Sequence, residues 1–291
     1  MAFVVWLEGA RPKTLIAGVS PVIIGSVVAS GKGQFSILPF LLVLLFSICT
    51  QIGTNYSNDY YDFIKGADTS DRKGPRRLAQ AQLVAPHKIL FASFVMFAMS
   101  MLCSIFLIPV VGFVSLLIGI SSVFFGVFYT AGRYSLSYMG LGEVFVLLFF
   151  GIVATCGSEY VLSGSISLVG FVASFGPGLL STAIIVVNNL RDMHEDEKVK
   201  KKTLAVRFGS LFAKNEYLFC ILIASLVPVI CYVLSPSRYG VVLASLICVP
   251  AIPLVKRVFL SKNAEALNGV LGQTGLLLLI YTLLFSVGWM L

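Results

Sequence analysis

Nine apolar stretches recur along the chain, near residues 14–31, 37–57, 88–107, 109–130, 141–161, 166–189, 216–234, 239–255 and 270–290. Each is close to the roughly 20 residues of helix that cross the hydrocarbon core of a bilayer. A segment in lipid must satisfy its own backbone hydrogen bonds, so stretches of this kind are helices. Composition agrees: of 291 residues, 58% are hydrophobic and 12% charged, half the roughly 25% charged share of soluble domains. A soluble globule of this length could not hide so much apolar surface. Soluble, secreted, disordered and coiled-coil architectures are excluded. The expected fold is an all-α membrane protein, one domain over residues 1–291 built as a bundle of nine transmembrane helices.

The positive charges orient the bundle. With the N-terminus on the cytoplasmic side, the inner segments and Lys88 at a span edge hold 19 of the 21 Lys and Arg residues; the outer side keeps Lys32 and Arg238. That is the inside-positive bias of membrane proteins. It predicts a multi-pass protein of the cell (inner) membrane, with the N-terminus inside and the C-terminus outside. It also accounts for the net charge of +8 without a nucleic-acid partner. The competing reading of the first stretch, a cleaved leader ending near Ala29, fits poorly with Pro21 and Glu8. The six cysteines lie in apolar stretches without close Cys-x-x-Cys pairs, so they read as packing residues.

Eight of the 13 acids fall in two clusters: Asp59, Asp62, Asp68 and Asp71, then Asp192, Glu195, Asp196 and Glu197. Each follows an even-numbered span, the second and the sixth, on the inner side. Residues three or four apart share a helix face, which groups Asn55 with Asp59 and Asp62, and Asn188 with Asp192 and Asp196. Like charges on one face repel, and carboxylates near lipid are costly. A cation between the two faces removes both penalties, and carboxylate and amide oxygens suit Mg²⁺, often alongside substrate phosphate oxygens. The matched Asn-x-x-x-Asp starts, four spans apart, suggest a parallel internal repeat. Basic residues trail each cluster, Arg72, Arg76 and Arg77 after the first and Lys200, Lys201 and Lys202 after the second. They suit either membrane topology or a metal-bound diphosphate. Arg133, four residues after Tyr129, reads as a ligand residue. Lys13 or Arg11 suits a substrate carboxylate or an anchoring role, and Glu143 is either a helix-dipole partner or a site acid.

At these residues the sequence resembles the UbiA superfamily of intramembrane aromatic prenyltransferases. The resemblance rests on Asn55, Asp59 and Asp62, on Asp192 and Asp196, and on Tyr129 with Arg133. Within the superfamily it is similar to the branch that prenylates 1,4-dihydroxy-2-naphthoate in menaquinone synthesis. The stretches Arg11-Pro12-Lys13-Thr14-Leu15, Asn58-Asp59-Tyr60-Tyr61-Asp62-Phe63, Gly140-Leu141-Gly142-Glu143 and Thr203-Leu204-Ala205-Val206-Arg207-Phe208-Gly209 carry that similarity. One departure is Lys200-Lys201, where that branch often has Gly-Lys; another is Gly157-Ser158-Glu159-Tyr160, where it often has a Gly-Thr-Tyr-Tyr-like stretch.

The resemblance implies an Mg²⁺-dependent enzyme that moves a polyprenyl group from its diphosphate to an aromatic acid, releasing diphosphate and CO2. It implies that Asn55, Asp59, Asp62, Asn188, Asp192 and Asp196 hold the metal, with Asp59, Asp62, Asp192 and Asp196 as the catalytic carboxylates. Arg72, Tyr129, Arg133, Lys201 and Lys13 are then the substrate-binding residues. Other aromatic acceptors stay open: 1,4-dihydroxy-6-naphthoate, 4-hydroxybenzoate or homogentisate. A transporter is the reading from another class, disfavoured because its carboxylates usually lie near the bilayer midplane. A CDP-alcohol phosphotransferase lacks its Asp-x-x-Asp-Gly-x-x-Ala-Arg pattern here.

Overall fold

Each of the nine apolar stretches is largely helical in the computed structural model, which describes residues 2–33, 35–67, 74, 76–261 and 263–291. A short helix, α1 (Ala2–Ala10), precedes α2 (Pro12–Ser30) and α3 (Ile37–Ile64). Then come α4 (Pro86–Phe106), α5 (Ile108–Val111) and α6 (Val114–Phe128). A continuous helix starts as α7 (Gly142–Leu147), passes a π-helical turn at Leu148–Val153 and continues as α8 (Ala154–Ser163). The last third holds α9 (Leu168–Lys198), α10 (Leu204–Leu234), a 3₁₀ stretch at Pro236–Ile247, α11 (Cys248–Leu260) and α12 (Ala264–Met290). Among the described residues, eight helical segments are long and apolar enough to cross a membrane, and α6 is a shorter apolar ninth. The protein is a multi-pass membrane protein.

Local chemistry sets the breaks. The fourth stretch, expected to be continuous over 109–130, divides at Gly112, whose φ of 69° lies where residues with a Cβ are strained. α9 and α10 start on Ser167 and Thr203, whose hydroxyls accept the backbone N–H of Gly170 and Val206, the usual relief for unpaired first-turn donors. The expected inner segment 190–215 is mostly helix. α9 runs on to Lys198 and α10 begins at Leu204, because charged Glu and Lys are good helix formers. Residues 199–203 connect the two helices, and α10 is kinked at Gly209 (φ 85°). The eighth stretch begins as 3₁₀ helix before α11.

The centre of the bundle is α9, which packs on α2, α7, α8, α10 and α12. Its Leu180, Ala183 and Val187 are fully buried, in one core with Ile24, Tyr217, Leu278 and Phe285. Glycine lets α9 come very close to the π turn: a Cβ on Gly151 would lie 2.9 Å from the Gly178 Cα. The α2 segment, which a leader reading would remove, packs within this bundle, with Ile24 and Ala29 at 0% exposure. At the end opposite the acids, Lys32 pairs with buried Glu159 at 2.7 Å.

Candidate active site

The C-terminal ends of α3 and α9 converge on one polar cavity of about 240 Å³. Helix α3 stays regular through Asp59 and Asp62, so its faces can be assigned. Gln51, Thr54, Asn55, Asn58 and Asp62 line the cavity, at the three-, four- and seven-residue spacings of one helical stripe. Asp59 lies off that stripe. Its carboxylate accepts the backbone N–H of Leu78 at 2.9 Å and of Ala79 at 3.3 Å. Asn55 donates to the Ala10 carbonyl at 2.9 Å, fixing the corner between α1 and α2. At that corner Arg11 takes a left-handed conformation (φ 54°, ψ 67°) and lines the cavity. Lys13 is exposed.

From α9, Ser181, Ile185, Asn188, Asn189 and Arg191 line the opposite wall. Arg191 grips the Asp192 carboxylate with Nε at 2.6 Å and Nη2 at 2.7 Å. The same guanidinium donates to Asn188 Oδ1 at 2.8 Å and to Asn268 Oδ1 of α12 at 3.0 Å. Asp196 pairs with Lys201 at 3.1 Å, and Asp62 with Arg77 at 3.3 Å. Asp62, Asp192 and Asp196 thus each face a protein cation, while Asp59 is held by the two backbone amides. Burial pulls the Lys201 ammonium down, but the carboxylates of Asp196, Asp62 and Asp192 outweigh it and hold its pKa above the ordinary value.

Three chain segments are stitched together around the mouth. Lys65 donates to the Thr130 carbonyl and to Ser135 Oγ, and sits 3.9 Å above the Tyr138 ring. Burial pushes its pKa down, against the pull of Asp62. Lys202 N–H donates to the Tyr138 carbonyl at 3.1 Å, and Arg207 donates to the Met139 carbonyl at 2.6 Å. Lys200 has a φ of 58°, a conformation that favours glycine, at the position where the resembling branch often has Gly. Arg76 and Glu8 form an exposed pair at 3.2 Å beside the cavity.

A second, apolar cavity of about 140 Å³ adjoins the first, lined by Val43, Phe46, Leu107, Phe125 and Phe149 among others. Gln51, Thr54, Tyr129, Val146 and Phe150 line both. Tyr129 therefore stands at the junction. The π turn supplies Phe149 and Phe150 to these walls.

The structure brings together Asn55, Asp62, Asn188, Tyr129 and Lys201 of the expected site. It keeps Asp192 and Asp196 beside the cavity, through Arg191 and Lys201. It turns Asp59 to backbone amides and Lys13 outward, and leaves Arg133 exposed, 5.7 Å from the Tyr134 ring. Arg72, Asp68 and Asp71 lie outside the described residues. Asn58 and Arg191 were missed by the sequence reading. Asn58-x-x-x-Asp62 repeats the Asn-x-x-x-Asp pattern three residues on, and that second register is the one facing the cavity.

No group of three or more His, Cys, Asp and Glu side chains could hold a metal among the described residues. Mg²⁺ does not need one, since one or two carboxylates plus phosphate oxygens commonly suffice. The residues fit that minimum: Asp62 and Asp196 are buried beside the same lysine, and Asp196 Oδ2 is buried with no hydrogen-bond partner.

Residues 18–277 match the model of the UbiA prenyltransferase family. The chain belongs to that family. Its UbiA relatives include the 1,4-dihydroxy-2-naphthoate octaprenyltransferase of Haemophilus influenzae, 33% identical over 97% of this chain and 94% of that one. A protein of the same name from Mycobacterium leprae is 33% identical, over 97% and 95%. The fold matches that of a solved UbiA homolog from Archaeoglobus fulgidus bound to GPP and Mg²⁺, with a TM-score of 0.66, 14% identity and coverage of 99% and 100%. At that identity the likeness concerns the fold alone.

Proposed function

We propose that this UbiA protein transfers a polyprenyl group from polyprenyl diphosphate to 1,4-dihydroxy-2-naphthoate, releasing diphosphate and CO2, as a step toward menaquinone. The observation that carries this reading is a charged cavity, holding the ends of both acidic helices, that continues past Tyr129 into an apolar one. A polyprenyl diphosphate has that same division. The relatives' names point to the same donor and acceptor.

In this reading Arg77 and Lys201 bind the diphosphate oxygens, as their cationic donors suit. Arg11 meets the acceptor carboxylate. Tyr129 presents its ring face where the allylic carbon gains positive charge, a contact worth roughly 0.5–2 kcal/mol. The apolar cavity holds the first part of the isoprenoid chain and keeps water from the reacting carbon. Asp62, Asp196, Asn58 and Asn188 supply the oxygens to hold Mg²⁺, with Asp192 positioned behind them by Arg191; bound there, Mg²⁺ neutralises diphosphate charge and makes it a better leaving group. Asp59 holds the turn that carries Arg77. The inside-positive distribution of Lys and Arg supports a site on the cytoplasmic face of the cell (inner) membrane.

The test is an incubation of membranes containing the protein with labelled polyprenyl diphosphate, Mg²⁺ and each candidate acceptor in turn. A lipid-soluble prenylated naphthoquinol that EDTA abolishes is the expected result. Prenylation of 4-hydroxybenzoate or the 6-naphthoate instead would overturn the acceptor. Silence with every acceptor would overturn the enzyme reading and return attention to a transporter.

A further inference from the structure

We propose that Glu143 reads a hydroxyl group of the aromatic acceptor, with Oε2 accepting that hydroxyl's hydrogen bond. The inference rests on the prenyltransferase reading and adds to it the residue that recognises the acceptor's oxygen. Glu143 opens α7 and lines the polar cavity, yet is only 4% exposed. Its Oε1 accepts the Asn189 side-chain amide at 2.7 Å, which fixes the orientation of the carboxylate. Its Oε2 is buried and has no hydrogen-bond partner. A buried carboxylate oxygen left unpaired is costly, so such an atom points to a missing donor.

The neighbours narrow what that donor is. Diphosphate is anionic and is repelled by a carboxylate. A metal wants converging oxygens, but Glu143 Oε1 is taken by the Asn189 side-chain N–H, which cannot ligate. Beside it lie Val146, Phe150 and Ile185, all lining the same cavity, a wall suited to the face of a ring. Tyr129 is also adjacent: a Cβ on Gly142 would lie 2.9 Å from its hydroxyl oxygen. The occupant that fits is an aromatic ring with a hydroxyl at its edge, placed next to the junction where the allylic carbon lies. A hydrogen bond from that hydroxyl to a carboxylate also pushes electron density into the ring, which is then the better nucleophile.

Glu143→Gln in the full-length protein in membranes tests this. Glutamine keeps the volume and the contact to Asn189, but puts an N–H donor where Oε2 stood. The expected result is a KM for the hydroxylated acceptor raised by about tenfold or more. The KM for polyprenyl diphosphate and the half-saturating Mg²⁺ concentration stay unchanged. Wild-type protein gives an arm that needs no variant: of the two mono-methyl ethers of 1,4-dihydroxy-2-naphthoate, the one capping the recognised hydroxyl competes at least about tenfold more weakly than the other. Equal competition by the two ethers, or a shift in Mg²⁺ or diphosphate dependence with an unchanged acceptor KM, would overturn the inference while leaving the enzyme reading intact. Wild-type silence with every hydroxylated acceptor would overturn both.

Discussion

The Asp59 carboxylate and the Leu78 backbone N–H are joined at 2.9 Å, with Ala79 N–H on the other carboxylate oxygen. Asp59 is therefore bound to the segment that carries Arg77, while Asp62, one helical turn away, faces the cavity. Asp59→Ala removes two charge-assisted hydrogen bonds and is expected to lower stability by about 2–4 kcal/mol, read as a fall in the thermal midpoint. Asp62→Asn should remove activity while lowering the midpoint less, because asparagine keeps an oxygen for Arg77. A destabilised Asp62→Asn beside an unaffected Asp59→Ala would reverse the two roles.

Arg77 is the diphosphate cation whose partner is already visible, at 3.3 Å from Asp62. Truncating it to alanine should raise the KM for polyprenyl diphosphate by about tenfold or more, the scale of a lost charge-assisted hydrogen bond. The acceptor KM should not follow. Steady-state kinetics varying one substrate at a time would separate the two, and equal movement of both would count against the assignment.

Gly157 lines the apolar cavity, and a Cβ there meets nothing within 4 Å. Gly157→Phe therefore meets no obstacle at its Cβ and is expected to narrow the cavity. Turnover of long polyprenyl diphosphates should fall by about tenfold or more relative to geranyl diphosphate. A comparison of product formation across chain lengths reads this directly; an unchanged preference would place the tail elsewhere.

Arg191 links α9 to α12 through Asn268 while holding Asp192. Replacing it with methionine leaves a buried carboxylate without its closest cation, a change that costs about 3–5 kcal/mol in comparable sites. Asp192→Asn in the same chain should restore part of that loss. Thermal midpoints of the two single variants and the double variant form the cycle that measures the coupling, and purely additive effects would show that the pair does not act as one.

Much of the architecture was legible because hydropathy is written residue by residue: all nine stretches became helices. The acidic helix ends were legible for the same reason, since charge beside an apolar stretch stands out. What the sequence hid was rotation and partners. Asn55-x-x-x-Asp59 and Asn58-x-x-x-Asp62 are equally good helical pairs on paper. Only the packing of α3 against the turn at Leu78 decides that Asp62, not Asp59, meets the cavity. Arg11 and Lys13 are both basic and two residues apart, and the left-handed corner at Arg11 determines which one points inward. Arg133 was singled out by standing alone in a short loop four residues after Tyr129, but that loop leaves it exposed, and Lys201 lines the cavity. The break at Gly112 depends on a backbone conformation that hydropathy does not register.

The central claim is that the ends of α3 and α9 form one Mg²⁺-dependent prenyl-transfer site with Asp62 and Asp196 as its shared carboxylates. Initial rates of naphthoquinol formation by wild-type, Asp62→Asn and Asp196→Asn protein, across a Mg²⁺ titration and at matched folded amounts, test it most directly. The expected result is wild-type turnover that requires Mg²⁺ and a loss of about a hundredfold or more in each variant. Wild-type rates in both variants, or product formation independent of Mg²⁺, would contradict it.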